Sequence, residues 1–501
     1  MSSSKKIDKI CIIVTILTLV LTLLFANGKA LGIQVMTDAE EETVESGYFT
    51  ANDLVSVADT EEATFITLEG DSATITGNGA YFANGKLVIA YKGTYVISGN
   101  LTGQIVVDTD GDDKVWVVLD GVTVDCEDSA ALYVSQADKV FLNLSEGSVN
   151  TFNCGSSFSS SSEKEGIDGC IYSKDDLTIS GTGSLEVTGS YSHGIVCNDT
   201  LKVTGGNINV TAKNDAIHAN DAAYVIEATI TLSAGDDGVT VSNSEGEGSF
   251  YMQSGSLTVT KSYEGIEAID ITIDGGDITV TSEDDGFNAS GSKGTGIIIN
   301  GGNIDLVNTG GRDVDGLDSN SNITINGGTV FVSVPGDGSS CAIDFATENG
   351  GTCTINGGTV IACGGSGMVE SPSDQSKQNI LMYQLSELGA AGSTLTVKSS
   401  DGTEIVSRQV PSSYSLIQIS SPNLKDGETY TITAGSASYE VTLSGTITSN
   451  VTGGMGGMGG MGGKGNMGGT NQAPPDGSVP DMNGTPPDQN NSNGSFKGRG
   501  R

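Results

Sequence analysis

A short unit made of an acidic residue, a small residue and an apolar residue recurs along the middle of the chain. It constrains the fold more than any other feature. It reads Asp215-Ala216-Ile217, Asp237-Gly238-Val239, Glu264-Gly265-Ile266, Asp285-Gly286-Phe287 and Asp315-Gly316-Leu317, with His193-Gly194-Ile195 ahead of it. Gly169-Cys170-Ile171 and Cys341-Ala342-Ile343 are weaker copies at either end. Counted from apolar residue to apolar residue, the steps are 24, 22, 22, 27, 21, 30 and 26.

A second unit runs in phase with the first. Gly205-Gly206, Gly275-Gly276, Gly301-Gly302, Gly327-Gly328 and Gly357-Gly358 each open a segment of alternating polarity, such as Asn207-Ile208-Asn209-Val210. Alternation with period two marks a half-buried strand. The residues before these pairs, Asp274, Asn300, Asn326 and Asn356, are types that tolerate the left-handed conformation of a sharp corner. Three short strands per repeat, glycine corners and no helical period predict an all-β chain built on a right-handed parallel β-helix. Weaker coils at 93–99, 115–124 and 140–152 extend it backwards to about ten coils, stacked about 4.8 Å apart. The Ser-rich segment 155–165 reads as a loop bulging from one coil.

The ends differ from this body. Residues 1–30 combine Lys5, Lys6 and Lys9 with an apolar run over 10–26, the pattern of a cleaved signal peptide or an uncleaved N-terminal membrane anchor. Either one predicts an extracellular body, secreted or held at the cell surface, and association with the cell wall fits both. Residues 31–59 read as an acidic linker, 60–368 as the β-helix and 369–448 as a small β-sandwich-like domain that caps it. That domain has strands expected at 394–397, 404–406, 416–419, 430–433 and 439–443. Residues 449–501, rich in Gly, Met and Pro, bury too little apolar surface to order and read as a disordered tail. The chain carries 8 cysteines, and those beyond Cys11 fall mostly at strand positions. They are expected to stack as buried thiols, with one or two disulfides left open in an exported protein.

Charge narrows the function. The chain has 62 acidic and 23 basic residues, a net charge of −39, and both ends are slightly basic, so the body is more acidic still. Such a polyanion does not bind nucleic acid through its phosphates, because that affinity comes from Lys and Arg displacing counterions.

Like stacks on like in a β-helix, so the acidic turns should form one row. Adjacent carboxylates about 4.8 Å apart repel by roughly 1 kcal/mol in water and by several times that near a protein surface. A row of this kind calls for a hard divalent cation, and calcium accepts six to eight carboxylate and carbonyl oxygens in flexible geometry. The expected metal ligands are Asp215, Asp236, Asp237, Glu264, Asp284, Asp285, Asp313, Asp315 and Asp318, with Glu267 flanking them. The competing reading is a solvated acidic edge.

Several segments resemble a known family. They are Lys114-Val115-Trp116-Val117-Val118-Leu119-Asp120-Gly121-Val122, the acid-Gly-apolar turns, the corners Asn326-Gly327-Gly328-Thr329 and Asn356-Gly357-Gly358-Thr359, and Ser420-Ser421-Pro422-Asn423-Leu424. Over roughly residues 60–448 the chain is similar to extracellular clostridial carbohydrate-binding domain proteins with a polysaccharide-lyase-like β-helix. The resemblance implies calcium as cofactor and a cellulose- or acidic-sugar-binding role, with no ligand set carried over residue by residue.

Three functions then compete. The expected one is a non-catalytic, calcium-dependent binder of plant cell-wall polysaccharide, meaning acidic sugars such as pectin, or cellulose. The second is a calcium-dependent lyase on a uronate polymer. That chemistry needs a cationic base, for which Arg312 is the best candidate and Lys261 and Lys293 come next. The third is a structural surface rod. Cellulose binders usually present a strip of exposed aromatic rings. Here Tyr172, Tyr191, Tyr224, Tyr251 and Tyr263 are expected to form a modest surface set, and Trp116 is expected in or beside the core.

Overall fold

A computed structural model describes residues 47–311, 314–336 and 340–451. The N-terminal apolar run, most of the acidic linker, the tail beyond 451, Arg312 and Asp313 lie outside the described residues. The described chain is almost entirely β, a parallel solenoid of about 10 turns. Each coil contributes one strand to each of three faces. In one coil these strands are His193–Cys197, Thr200–Val203 and Asn207–Ala212, and the next coil begins with Ile217–Ala219.

The apolar residue of each repeat is what holds the coils in register. Ile171, Ile195, Ile217, Val239, Ile266, Phe287, Leu317 and Ile343 are consecutive parallel partners along one face, and all are buried in a single core. Glycine precedes many of them because the coils approach closely there. A Cβ on Gly286 would sit 2.5 Å from the carbonyl oxygen of Gly316 in the next coil, a clash that only glycine avoids without a backbone shift.

The corner between the second and third faces works differently from the sequence expectation. It is the second glycine of each pair that takes positive φ, at 92° for Gly276 and 86° for Gly302. The residue ahead of the pair instead joins a side-chain ladder. The Asn300 amide donates to Asp274 at 2.7 Å, Asn326 to Asn300 at 2.8 Å and Asn356 to Asn326 at 2.9 Å. The corner Asn and Asp are therefore there for coil-to-coil hydrogen bonds, not for their backbone preference.

The ends of the solenoid are closed by antiparallel pairing. At the start, Thr64–Gly70 pairs with Ala73–Thr76 and Ala80–Ala83 with Lys86–Ile89. At the other end, Tyr414–Ser420 pairs antiparallel with both Thr359–Gly364 and Ile380–Gly389. A four-stranded antiparallel sheet, containing Thr394–Ser399, Glu404–Gln409, Thr429–Ala434 and Ala437–Thr442, packs on this end through a second core that includes Phe331, Ile361, Leu395 and Ile432. Arg408 crosses the joint, pairing with Asp305 and lying over the Phe331 ring. The segment 155–165 contains one short helix, Ser160–Lys164, capped by Ser159. All seven cysteines from Cys126 to Cys363 are buried.

The N-terminal arm was not legible as structure. It lies along the outside of the second face, where Tyr48 packs on Tyr251 and Tyr224 with ring centroids 4.1 and 4.9 Å apart. Asp53 is fully buried and binds Lys139 at 2.7 Å, Lys202 at 2.8 Å and the Thr178 hydroxyl at 2.7 Å. Burial alone would raise the Asp53 pKa, but the charges and hydrogen bonds of Lys139 and Lys202 hold it well below the usual carboxylate range. Removing one partner of a buried ion pair costs about 3–5 kcal/mol because the other charge is left uncompensated. Asp53→Asn should therefore lower the unfolding free energy by about that much in urea titrations at neutral pH. A depressed folded-state pKa stabilises above the unfolded value, so the gap between wild type and variant should shrink as pH falls below about 3.9.

Candidate functional site

The acidic turns lie where each third-face strand passes into the next first-face strand. The repeat stacks them into a column running from His193 through Asp215, Asp237, Glu264, Asp285 and Asp315 to Cys341. Hydrogen bonds tie the column together lengthwise. Asp215 accepts from the amide of Asp237 at 3.3 Å, Asp237 from Glu264 at 2.9 Å and Asp285 from Asp315 at 2.8 Å, and Asp315 accepts from the Cys341 amide. Glu264 is one methylene longer and breaks the pattern, with its carboxylate accepting from the Asn288 side chain at 3.0 Å. Each short acid thus caps the backbone of the next coil with one oxygen.

A second column runs beside the first. The residue after each apolar marker points outward, and His218, Thr240, Glu267, Asn288, Asp318 and Asp344 are consecutive partners. The two columns meet in three clusters whose ligand atoms lie within 4.8 Å of one another: Asp237 with Glu264 and Glu267, Asp315 with Asp318 and Asp344, and His193 with Asp215 and His218. Glu370 adjoins the second cluster. It is buried and accepts from the Phe345 amide at 2.9 Å.

Of the expected ligands, Asp237, Glu264, Asp315 and Asp318 fall inside carboxylate clusters. Asp215 does not. Its Oδ2 lies 3.1 Å from His193 and 2.9 Å from His218. Asp285 is buried in the column between the two carboxylate clusters, Asp284 is half-buried beside it, and Asp236 is exposed at the corner. Asp313 lies outside the described residues, as does Arg312. Lys261 and Lys293 are both exposed. Asp344 and Glu267 join the clusters from outside the acidic turn, each directly after an apolar marker. The spacing acid-Gly-apolar-acid in Glu264-Gly265-Ile266-Glu267 and Asp315-Gly316-Leu317-Asp318 would have shown that the fourth residue returns to the same edge. Glu370 follows the last repeat and carries no such signal.

The tyrosines do not form one strip. Tyr172 is buried against Tyr133, Tyr191 stacks on Phe158, and Tyr224 and Tyr251 lie under Tyr48. Tyr263 alone of the five is largely exposed, at 41%, and it immediately precedes Glu264. Trp116 sits beside the core, half-buried and stacked on Phe141.

The chain is similar to known proteins over much of this region. Residues 83–338 match the family model described as carbohydrate-binding domain-containing protein. A curated protein with the same description from Acetivibrio thermocellus is 36% identical over 129 residues, which is 25% of this chain and 45% of that protein. The chain thus spans less than half the length of that relative. Among solved structures, it is similar to the polysaccharide lyase-like protein from C. thermocellum, studied as a gadolinium derivative. There the identity is 26% and the TM-score 0.39, covering 48% of this chain and 92% of that one.

Burial, and then mutual repulsion, push the clustered carboxyls far up. Glu264 and Asp315 rise to about 9, Asp285 to about 8, Asp237 and Asp344 to about 7 and Asp318 to about 6. Asp215 goes the other way. Burial would raise it, but hydrogen bonds from His193 and His218 and their charges hold it well below the carboxylate range. A carboxyl whose folded pKa is raised stabilises fully below its unfolded value, and that stability is lost as pH rises through the folded value. In chelator, the melting temperature should therefore fall as pH climbs from about 4 toward about 9. Glu264→Gln should flatten the upper part of that slope, and melts across a pH series check both.

Proposed function

The chain belongs to the carbohydrate-binding domain-containing family, and we propose that it binds acidic polysaccharide through calcium ions held along the acidic column. The observation that carries this reading is the pair of carboxylate clusters, Asp237-Glu264-Glu267 and Asp315-Asp318-Asp344. Each gathers three carboxylates whose oxygens lie within 4.8 Å of one another. Burial and neighbouring acids push Glu264 and Asp315 up to about 9, and the donor set suits calcium, which prefers carboxylate oxygens in a flexible shell. Bound there, the ion would supply positive charge and open coordination positions for a sugar carboxylate.

That chemistry suits a uronate polymer of the pectin type. A chain of net charge −39 repels a polyanion unless cations stand between them. Tyr263 adds a flat apolar face next to Glu264, suited to a sugar ring. Cellulose fits less well, because Tyr172, Tyr191, Tyr224 and Tyr251 are buried or packed against other rings. The Lys-rich start and apolar run of the N-terminal segment support secretion or attachment at the cell surface, with cell-wall association, as part of the same proposal.

Sedimentation of the full chain with polygalacturonate should show binding in calcium that chelator abolishes. Glu264→Gln and Asp315→Asn should each weaken it at least about tenfold, as expected on losing a charged ligand. Calcium titrated into the protein near neutral pH should also release protons, because ligands must deprotonate to bind. Binding that is equal with and without chelator would overturn the proposal.

A further inference from the structure

The third cluster has a different chemistry from the other two. The chain contains only two histidines, and both converge on one carboxylate oxygen. His193 Nδ1 lies 3.1 Å and His218 Nδ1 2.9 Å from Asp215 Oδ2, with ring centroids 5.2 Å apart. The side chains are accessible without being loose, at 15%, 7% and 27% exposed for His193, Asp215 and His218.

His193 Nδ1 faces two partners. His193 Nδ1 accepts the backbone N–H of Asp215 at 3.2 Å, which requires a lone pair on that nitrogen. When protonated, the same nitrogen instead donates to Asp215 Oδ2 at 3.1 Å. A cation on Nδ1 and Oδ2 would take the place of the proton that the pair otherwise shares. The spacing suits one. Zinc binds His nitrogen and carboxylate oxygen at about 2.0–2.2 Å, which in a tetrahedron sets ligand atoms about 3.3 Å apart. An outer partner is also present. His193 Nε2 lies 3.9 Å from Asp168 Oδ2, and a carboxylate behind the far nitrogen of a metal-binding imidazole commonly orients the ring.

We propose that His193, His218 and Asp215 form a site for a divalent transition-metal ion of the zinc type, separate from the calcium positions and independent of them. Two imidazoles disfavour calcium, which takes oxygen ligands, and favour zinc, nickel, copper or cobalt. Three protein ligands leave a coordination position open, on the same edge of the solenoid where the carboxylate clusters sit. The column thus changes from imidazole and carboxylate at one end to carboxylates alone further along.

The test uses the full chain without a histidine tag, saturated with calcium. Zinc added in calorimetry should bind at a single equivalent that millimolar calcium does not displace, and cobalt should give the visible absorption of a four-coordinate ion. His218→Ala should abolish both signals, Asp168→Asn should weaken zinc binding about tenfold, and Glu264→Gln should leave it unchanged. If His193→Ala does not fold, the more exposed His218→Asn still reads out the same loss. Zinc binding that persists in His218→Ala and His218→Asn, zinc displaced by calcium, or no zinc binding at all would each overturn the proposal.

Discussion

Parallel in-register hydrogen bonding between coils is the constraint from which the rest of the structure follows. It fixes a spacing of about 4.8 Å and puts each residue directly over its counterpart one coil away. Apolar residues gain from this, since Ile195, Ile217, Val239 and Ile266 bury against one another in a continuous core. Amides gain as well, and Asn300, Asn326 and Asn356 form a ladder by donating to the residue before. Carboxylates do not, and the same register that builds the core forces Asp237, Glu264, Asp285 and Asp315 into a file. The chain tolerates that file by using its short acids to cap the next coil's amide and by keeping the carboxyls protonated or, on the reading above, metal-bound.

The solenoid was legible in the sequence because one register rule governs it. A marker that recurs once per coil announces both the period and the inward face, and the eight markers from Ile171 to Ile343 stack as their spacing implies. The acidic column followed from the same rule. What escaped notice obeys no period. The Asp53 contacts span up to 151 residues and involve single positions, and the antiparallel strands at both ends follow local pairing that the repeat does not encode. Glu267, His218 and Asp344 stand between these cases. Their outward position was implied by strand alternation, but the repeat drew attention to the turn and not to the residue that rejoins its edge.

Local chemistry modulates the column although its backbone is uniform. Asp215 and Asp237 occupy equivalent places one coil apart, yet Asp215 is held ionised by two imidazoles while Asp237 is pushed up to about 7 by burial and acidic neighbours. A repeated scaffold can therefore carry several distinct sites in one line, each defined by the pair of side chains that flank it.

The N-terminal arm has a mechanical consequence. It touches five successive strands of one face: Lys139–Leu144, Asp176–Gly181, Thr200–Val203, Ala222–Val225 and Ser249–Met252. Tension applied from the N-terminal side enters the solenoid through Asp53 and Tyr48, in its middle, and bypasses the first coil. Such a load shears a buried ion pair and several strands together. A chain pulled from its first coil would instead unzip one strand at a time. A molecule tethered by that end would therefore resist detachment with many interactions at once.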